Sequence, residues 1–372
     1  MEEEKKQGGE ELLDVDEKGN PIEIKEDKED KKSPNTFKYL AVILGILLLI
    51  GICFFFILRS SKNNKTVFDE TTLKNLKLKN RVFFGAISHD PKKIESVAQN
   101  EVALIVTEGC MVGDFYPTPL QNGGPFRIDS DEYLEELKKF PELVHKYNSY
   151  ILLDLVHFGL NSAGPSFSPS GDKGVFNKDI EMKAMTKEDI KRIQNYFVQG
   201  AIRAKKAGFD GIEIHGGHLH IVSSFLSQKY NRRTDEYGGS DENRARFLVE
   251  IIKKIREAIG NDMIISAKID CVNEEMGFTE KGFLTTGKLI EEAGVDLIEV
   301  TGVNPIQKGD FYFYNDTKKL AETVKVPVTC IGGIKTYEHA DFILKNSKIE
   351  YVGLSRTLLK DSEVVKRWYQ NK

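Results

Sequence analysis

Four of the chain's seven histidines, His157, His215, His218 and His220, fall at or just beyond the ends of two apolar runs, residues 150–158 and 211–216. Three imidazoles within six residues suit two kinds of chemistry. They can ligate a transition metal, or they can donate hydrogen bonds to a carbonyl or phenolate oxygen on which negative charge develops. Barrel hydrolases that use a metal usually carry a His-x-His pair on the first strand. The first strand-like run here, RVFFGAI at 81–87, has none. The oxygen-binding use is therefore preferred and no metal is expected.

A second group lies near the C-terminus. Gly332-Gly333 follows one apolar run and Ser355-Arg356 follows the next. Glycines let backbone N–H groups approach phosphate oxygens, and an arginine adds a bidentate contact. Together they form a candidate phosphate site.

Both groups need a scaffold that brings distant segments to one place. From about residue 70, short β-branched runs alternate with amphipathic stretches. The runs are 81–87, 102–109, 150–158, 211–216, 264–270, 297–302, 326–332 and 351–355; helices are expected at 91–100, 131–148, 186–207, 243–259, 284–293, 315–324, 336–346 and 361–370. Strands that are apolar almost throughout are buried on both faces, as in a parallel sheet. Eight such units predict a (β/α)8 TIM barrel, whose chemistry sits at the C-terminal ends of the strands. A doubly wound sheet is the alternative, but the first turn, AISHDPKK, lacks its Gly-rich loop.

The remaining 67 residues divide differently. Residues 1–38 hold 13 Asp/Glu and 8 Lys/Arg, which gives −5 of the chain's net −4 and leaves about +1 for the rest. A segment this charged and poor in aromatics is expected to be a disordered acidic tail. Residues 39–58 contain no charged residue, and about 20 residues suit a bilayer core, so a single transmembrane helix is expected there. A linker, 59–67, would then lead to the barrel at 68–372. The basic residues flanking the apolar run lean weakly towards a cytoplasmic N-terminus. No basic stripe with interleaved aromatics is present, so no nucleic-acid partner is expected. The four cysteines are widely spaced and show no metal or disulfide pattern.

The run 207–247, AGFDGIEIHGGHLHIVSSFLSQKYNRRTDEYGGSDENRAR, resembles the central signature of the Old Yellow Enzyme family. Leu78-Lys79-Asn80-Arg81, Leu155-Val156-His157-Phe158-Gly159, Gly332-Gly333 and Ser355-Arg356 are similar to other parts of its pattern, over roughly residues 68–370. The resemblance implies a non-covalent FMN reduced by NADH or NADPH, and hydride transfer from flavin N5 to an activated alkene or another acceptor. The reduced nicotinamide it implies is kept inside cells, which outweighs the charge count and favours a membrane protein with its barrel on the cytoplasmic face. It implies a small-molecule substrate with a carbonyl or similar group, held by His215 and His218. It places Gly85, Ala86 and Ile87 under the flavin, Ser88 near its N5/O4 edge, and Gly109 at the end of the second strand. Asp154 stands where a Gln usually meets the pyrimidine edge, and Lys268 where an Arg usually faces N1/O2. Leu219-His220 replaces the common Gly-Tyr, which makes His220 the expected proton donor. Two other outcomes stay open: a flavin dehydrogenase or quinone-type reductase, and a degenerate, non-catalytic barrel.

Overall fold

The computed structural model describes residues 39, 41–50, 65–113, 126–175, 177–304 and 307–371. The chain divides into two units, Met1–Ser61 and Lys62–Lys372, and the second holds the sheet. Its strands are β1 (Val82–Phe84), β2 (Leu104–Val106), β3 (Tyr150–Val156), β4 (Gly211–Gly216), β5 (Ile264–Asp270), β6 (Leu297–Thr301), β7 (Val328–Cys330) and β8 (Tyr351–Gly353). Each is hydrogen-bonded in parallel to the next, and β8 returns to β1 through Val352 opposite Val82. The ring is closed, so the barrel expected from the sequence is present.

The helices between strands are α1 (Pro91–Gln99), α2 (Lys139–His145), α3 (Lys187–Lys206), α4 (Asp241–Ile259), α5 (Glu280–Glu292), α6 (Tyr314–Thr323), α7 (Tyr337–Lys345) and α8 (Val364–Gln370). Local chemistry sets their starts. The Thr186 hydroxyl accepts from Asp189 N, and the Asp189 carboxylate accepts from Thr186 N, a reciprocal cap for α3. Ser240 and Thr279 cap α4 and α5 in the same position. The α5 cap moves that helix's start from the expected 284 to Glu280. The helix expected over 131–148 is instead three short pieces, Asp131–Tyr133, Leu134–Leu137 and Lys139–His145. Pro141 explains the last break: it has no N–H to give, and its ring crowds the carbonyl four residues back, at Leu137.

The N-terminal end of the barrel is plugged. A hairpin, Thr71–Leu73 with Leu76–Leu78, closes it. Leu73, Leu76 and Leu78 pack against Phe83, Leu104, Leu152, Ile264, Leu297 and Tyr351 from six strands. The Phe83 and Tyr351 rings stack at 4.6 Å. Burying each such side chain contributes roughly 1.5–3 kcal/mol.

The N-terminal expectations need correction. No helix among the described residues is long and apolar enough to cross a membrane. The described part of the apolar run stops at Ile50, short of the roughly 20 residues a bilayer core requires, and residues 51–58 lie outside the described residues. The single transmembrane helix at 39–58, the lipid-bilayer partner and the membrane localisation built on it are therefore not supported. The expected tail, 1–38, and most of the linker also lie outside the described residues.

Candidate active site

The histidines sit where β4 ends. His215 is the last but one residue of that strand, and the chain then turns through Gly216 and Gly217. A Cβ on Gly216 would meet the Lys268 carbonyl oxygen at 2.5 Å, so only glycine lets the turn pass this close to β5. His218 and Leu219 both adopt left-handed backbone, φ 59° and 58°, which is unusual for residues with a Cβ. Asp270 holds that conformation. Its carboxylate accepts from His218 N at 3.1 Å and from the Ser223 hydroxyl, which in turn accepts from Leu219 N at 3.0 Å. Burial pushes Asp270 up to about 6, against the pull of these hydrogen bonds.

The imidazoles form a chain. His215 Nδ1 lies 2.7 Å from Asp154 Oδ2 on β3, and His215 Nε2 lies 3.2 Å from His218 Nδ1. His218 Nε2 reaches Thr301 Oγ1, at the end of β6, at 3.0 Å. His220 stands beside them, its ring 4.6 Å from that of His215, and its Nδ1–H donates to the Gly217 carbonyl at 3.0 Å. Burial holds all three well below the usual imidazole pKa, with Lys268 and the neighbouring imidazoles adding to the effect. The resting rings are neutral. The imidazolium form that would make His220 a strong acid is thus disfavoured. His157 is also buried; its Nδ1 accepts from Gly159 N at 3.3 Å, and its carbonyl accepts from Ile221 N at 3.1 Å.

Beneath the histidines lies a charged layer. Lys268 Nζ is 2.9 Å from Glu213, 3.0 Å from Glu299 and 3.9 Å from Asp154. Register explains the meeting: Lys268 on β5 is opposite His215 on β4 and Glu299 on β6, while Glu213 is opposite Asp154 and Ser266. Burial works against the ammonium, but the three carboxyls outweigh it and keep Lys268 protonated. Burial raises Glu213, and it pushes Glu299 up to about 7 with Glu213 beside it adding to the shift. Asp154 is pushed up to about 7, again by burial, with Lys268 opposing and Glu108 adding. Sequence reasoning did not find Glu213, Glu299, Asp270 or Thr301. A signal was present: a lone acid stands in each of the apolar runs GIEIHG and LIEVT.

A cleft of about 720 Å³ opens above this layer, within the range of cofactor sites. Ala86, Ile87, His218, Lys268, Gly332, Gly333, Ser355 and Arg356 line it, with Thr301 and Tyr312. Eight of the fourteen residues named from the sequence thus share one surface. Gly85, Ser88, Gly109, Asp154, His215 and His220 do not line it. Gly85 packs under Ser355, where a Cβ would lie 2.4 Å from the hydroxyl. Gly109 abuts Val156 in the same way, at 2.9 Å. Ser88 is buried, and its hydroxyl accepts from Asp90 N at 3.2 Å. Gly332 and Gly333 have φ of 90° and 73°, and added Cβ atoms would strike Tyr312 at 2.6 and 2.9 Å. Arg356 Nη2 donates to the Tyr312 hydroxyl at 2.6 Å. An arginine, two left-handed glycines and a buried ammonium around one cleft fit a phosphate-bearing, electron-accepting ring system.

The profile of the NADH:flavin oxidoreductase / NADH oxidase family matches residues 66–372. The chain belongs to this family. An NADPH dehydrogenase of Geobacillus sp. (strain WCH70) is 33% identical over 314 residues, covering 79% of this chain and 91% of that protein. An NADH oxidase of Thermoanaerobacter brockii is 31% identical over 290 residues, 73% of this chain, but the chain spans only 44% of that longer protein. Morphinone reductase superposes with a TM-score of 0.70 at 23% identity, over 84% of this chain and 91% of its own, which shows the shared fold. Family membership makes the chain an NAD(P)H:flavin oxidoreductase with FMN as cofactor and NAD(P)H as electron donor. By the chemistry of the groups present, Gly332, Gly333 and Arg356 would hold the FMN phosphate, and Lys268 would face the electron-rich edge of the ring.

Proposed function

We propose that the enzyme reduces an alkene conjugated to a carbonyl. The carbonyl oxygen is held by the His215–His218 pair, while Gly85, Ala86, Ile87, Ser88 and Gly109 shape the flavin bed. The observation that carries this reading is that His218 and Lys268 line the same cleft as Gly332, Gly333 and Arg356. The chemistry that bound FMN supplies is hydride exchange, taken from NAD(P)H and passed from N5 to the acceptor's β-carbon.

The residues of the chain manage the oxygen. The direction of the hydrogen-bond chain depends on Asp154. With Asp154 ionised, His215 Nδ1–H donates to it, His218 Nδ1–H donates to His215 Nε2, and the outer nitrogen of His218 can only accept. With Asp154 protonated, every bond reverses, and His218 Nε2–H points outward as a donor. A donor there stabilises the negative charge that builds on the carbonyl oxygen. It can also surrender its proton to that oxygen, with the chain refilling it from Asp154. Asp154 sits near 7, so both states are populated near neutrality. Thr301 Oγ1 marks the place now hydrogen-bonded to His218 Nε2, where the substrate oxygen would compete.

The test is anaerobic. Purified full-length protein is reduced with NADPH and mixed with a cyclic 2-enone. Return of the oxidised-flavin absorbance with formation of the saturated ketone is expected. Reoxidation by a quinone with none by the enone would replace alkene reduction with electron transfer to quinones.

A further inference from the structure

One feature of the histidine cluster is unused by this chemistry. His215, His218 and His220 each offer a ring nitrogen, and the three nitrogens lie within 4.8 Å of one another. The pair His215 Nε2 and His218 Nδ1 is 3.2 Å apart. Two nitrogens bound tetrahedrally at a zinc-like ion, each at about 2.0–2.1 Å, would be roughly 3.3 Å apart. The set as a whole lies within 4.8 Å, so it must close by up to roughly 1.5 Å to share one ion.

The nitrogens on the far side of each ring are already held. His215 Nδ1 faces the Asp154 carboxylate at 2.7 Å, His218 Nε2 faces Thr301 Oγ1 at 3.0 Å, and His220 Nδ1 faces the Gly217 carbonyl at 3.0 Å. A carboxylate, a hydroxyl and a carbonyl are acceptors, so all three rings can place their N–H outward and their lone pairs inward together. That arrangement of outer partners is what fixes ligating imidazoles in metal sites. Asp154 stands against the cluster at His215 and Asp270 at His218 N, while the Lys268 ammonium beneath opposes a cation, so the site rests on its three nitrogens and their outer partners and not on the local charge.

We propose that His215, His218 and His220 form a three-imidazole site for a divalent transition-metal ion of the zinc type, beside the cleft that His218 lines, with the fourth position left to a water. The expectation of no metal, drawn from the missing His-x-His on β1, does not bear on a site built after β4. An ion there takes the lone pairs of His215 Nε2 and His218 Nδ1 and breaks the hydrogen bond between them; His218 Nε2–H still points outward, but Asp154 can no longer refill it. The site thus makes the enzyme's oxygen pocket sensitive to free transition metal. This inference stands on the ring geometry and not on the alkene reading.

The experiment uses the full-length flavoprotein, stripped with a chelator and titrated with Co2+, then with Zn2+ in competition. One Co2+ per chain is expected, with visible bands of tetrahedral intensity beyond the flavin absorption, displaced by one equivalent of Zn2+. His220→Gln should weaken Co2+ binding at least tenfold, and Asp154→Asn, which removes the carboxylate behind His215, by about 10- to 100-fold. Weak octahedral colour, binding of many ions per chain, or an unchanged affinity in both variants overturns the site. Metal binding without enone turnover sinks the alkene reading alone; enone turnover without metal binding sinks this one alone.

Discussion

The two ends of the barrel are built from the same strands and obey opposite rules. At the N-terminal end, Phe83, Leu104, Leu152, Ile264, Leu297 and Tyr351 fill the interior with apolar side chains under the hairpin. Further along β3 to β6, the interior holds Asp154, Glu213, His215, Lys268, Glu299 and Thr301, all buried. The first layer stabilises the ring. The second costs desolvation at every carboxyl, which shows in their raised pKa values. Stability and chemistry are separated along the strand by only a few residues, and each layer can be damaged without the other.

The sharpest break is expected at the mouth. Gly333→Asp puts a carboxylate and a Cβ at φ 73°, 2.9 Å from Phe311 N and the Tyr312 ring, beside Arg356. The strain and the charge together should abolish FMN binding, and with it all turnover, while circular dichroism still reports a folded barrel. Full flavin occupancy in this variant would move the phosphate site elsewhere.

The opposite break is Phe83→Ala. It empties a fully buried ring position and should cost about 3–5 kcal/mol in denaturant unfolding. Flavin content per folded molecule should not change. A variant that unfolds normally but loses flavin would mean that the two layers are coupled.

A smaller effect belongs to the histidine pair. Replacing His215 and His218 together by Ala should weaken phenol binding, read from the perturbed flavin spectrum, by tenfold or more, since each lost donor costs on the order of 1–3 kcal/mol. Unchanged affinity would show that the pair does not face the ligand.

The contrast between the layers also explains what could be read from the sequence. Strand positions followed from apolar runs, because both faces of a barrel strand are buried. That Gly332, Gly333 and Arg356 share one cleft was legible because they follow the last two strands, whose ends meet in a closed barrel. Asp154 and Lys268 were found only by their place in a family pattern, and their partnership was not foreseen. Strand register brings Lys268 between Glu213 and Glu299, and register is a property of closed pairing, not of any one run. The expected membrane helix shows the reverse failure. Hydropathy alone marked 39–58, but among the described residues no helix reaches the length and apolarity a span needs.

The most direct measurement concerns Asp154, whose protonation is proposed to set the direction of the whole hydrogen-bond chain. Chemically reduced, chelator-treated enzyme is mixed with a 2-enone across the pH range, so that NAD(P)H binding and metal play no part. Asp154 is an acid raised to about 7, with Lys268, Glu108 and His215 around it. Its protonated, donor-out state is present below that value and lost as pH rises through it. Reoxidation should therefore slow as pH rises through about 7 in the native enzyme, and Asp154→Asn should flatten that step to within a few-fold. The same step persisting in Asp154→Asn, or a native rate that rises with pH, would contradict the account.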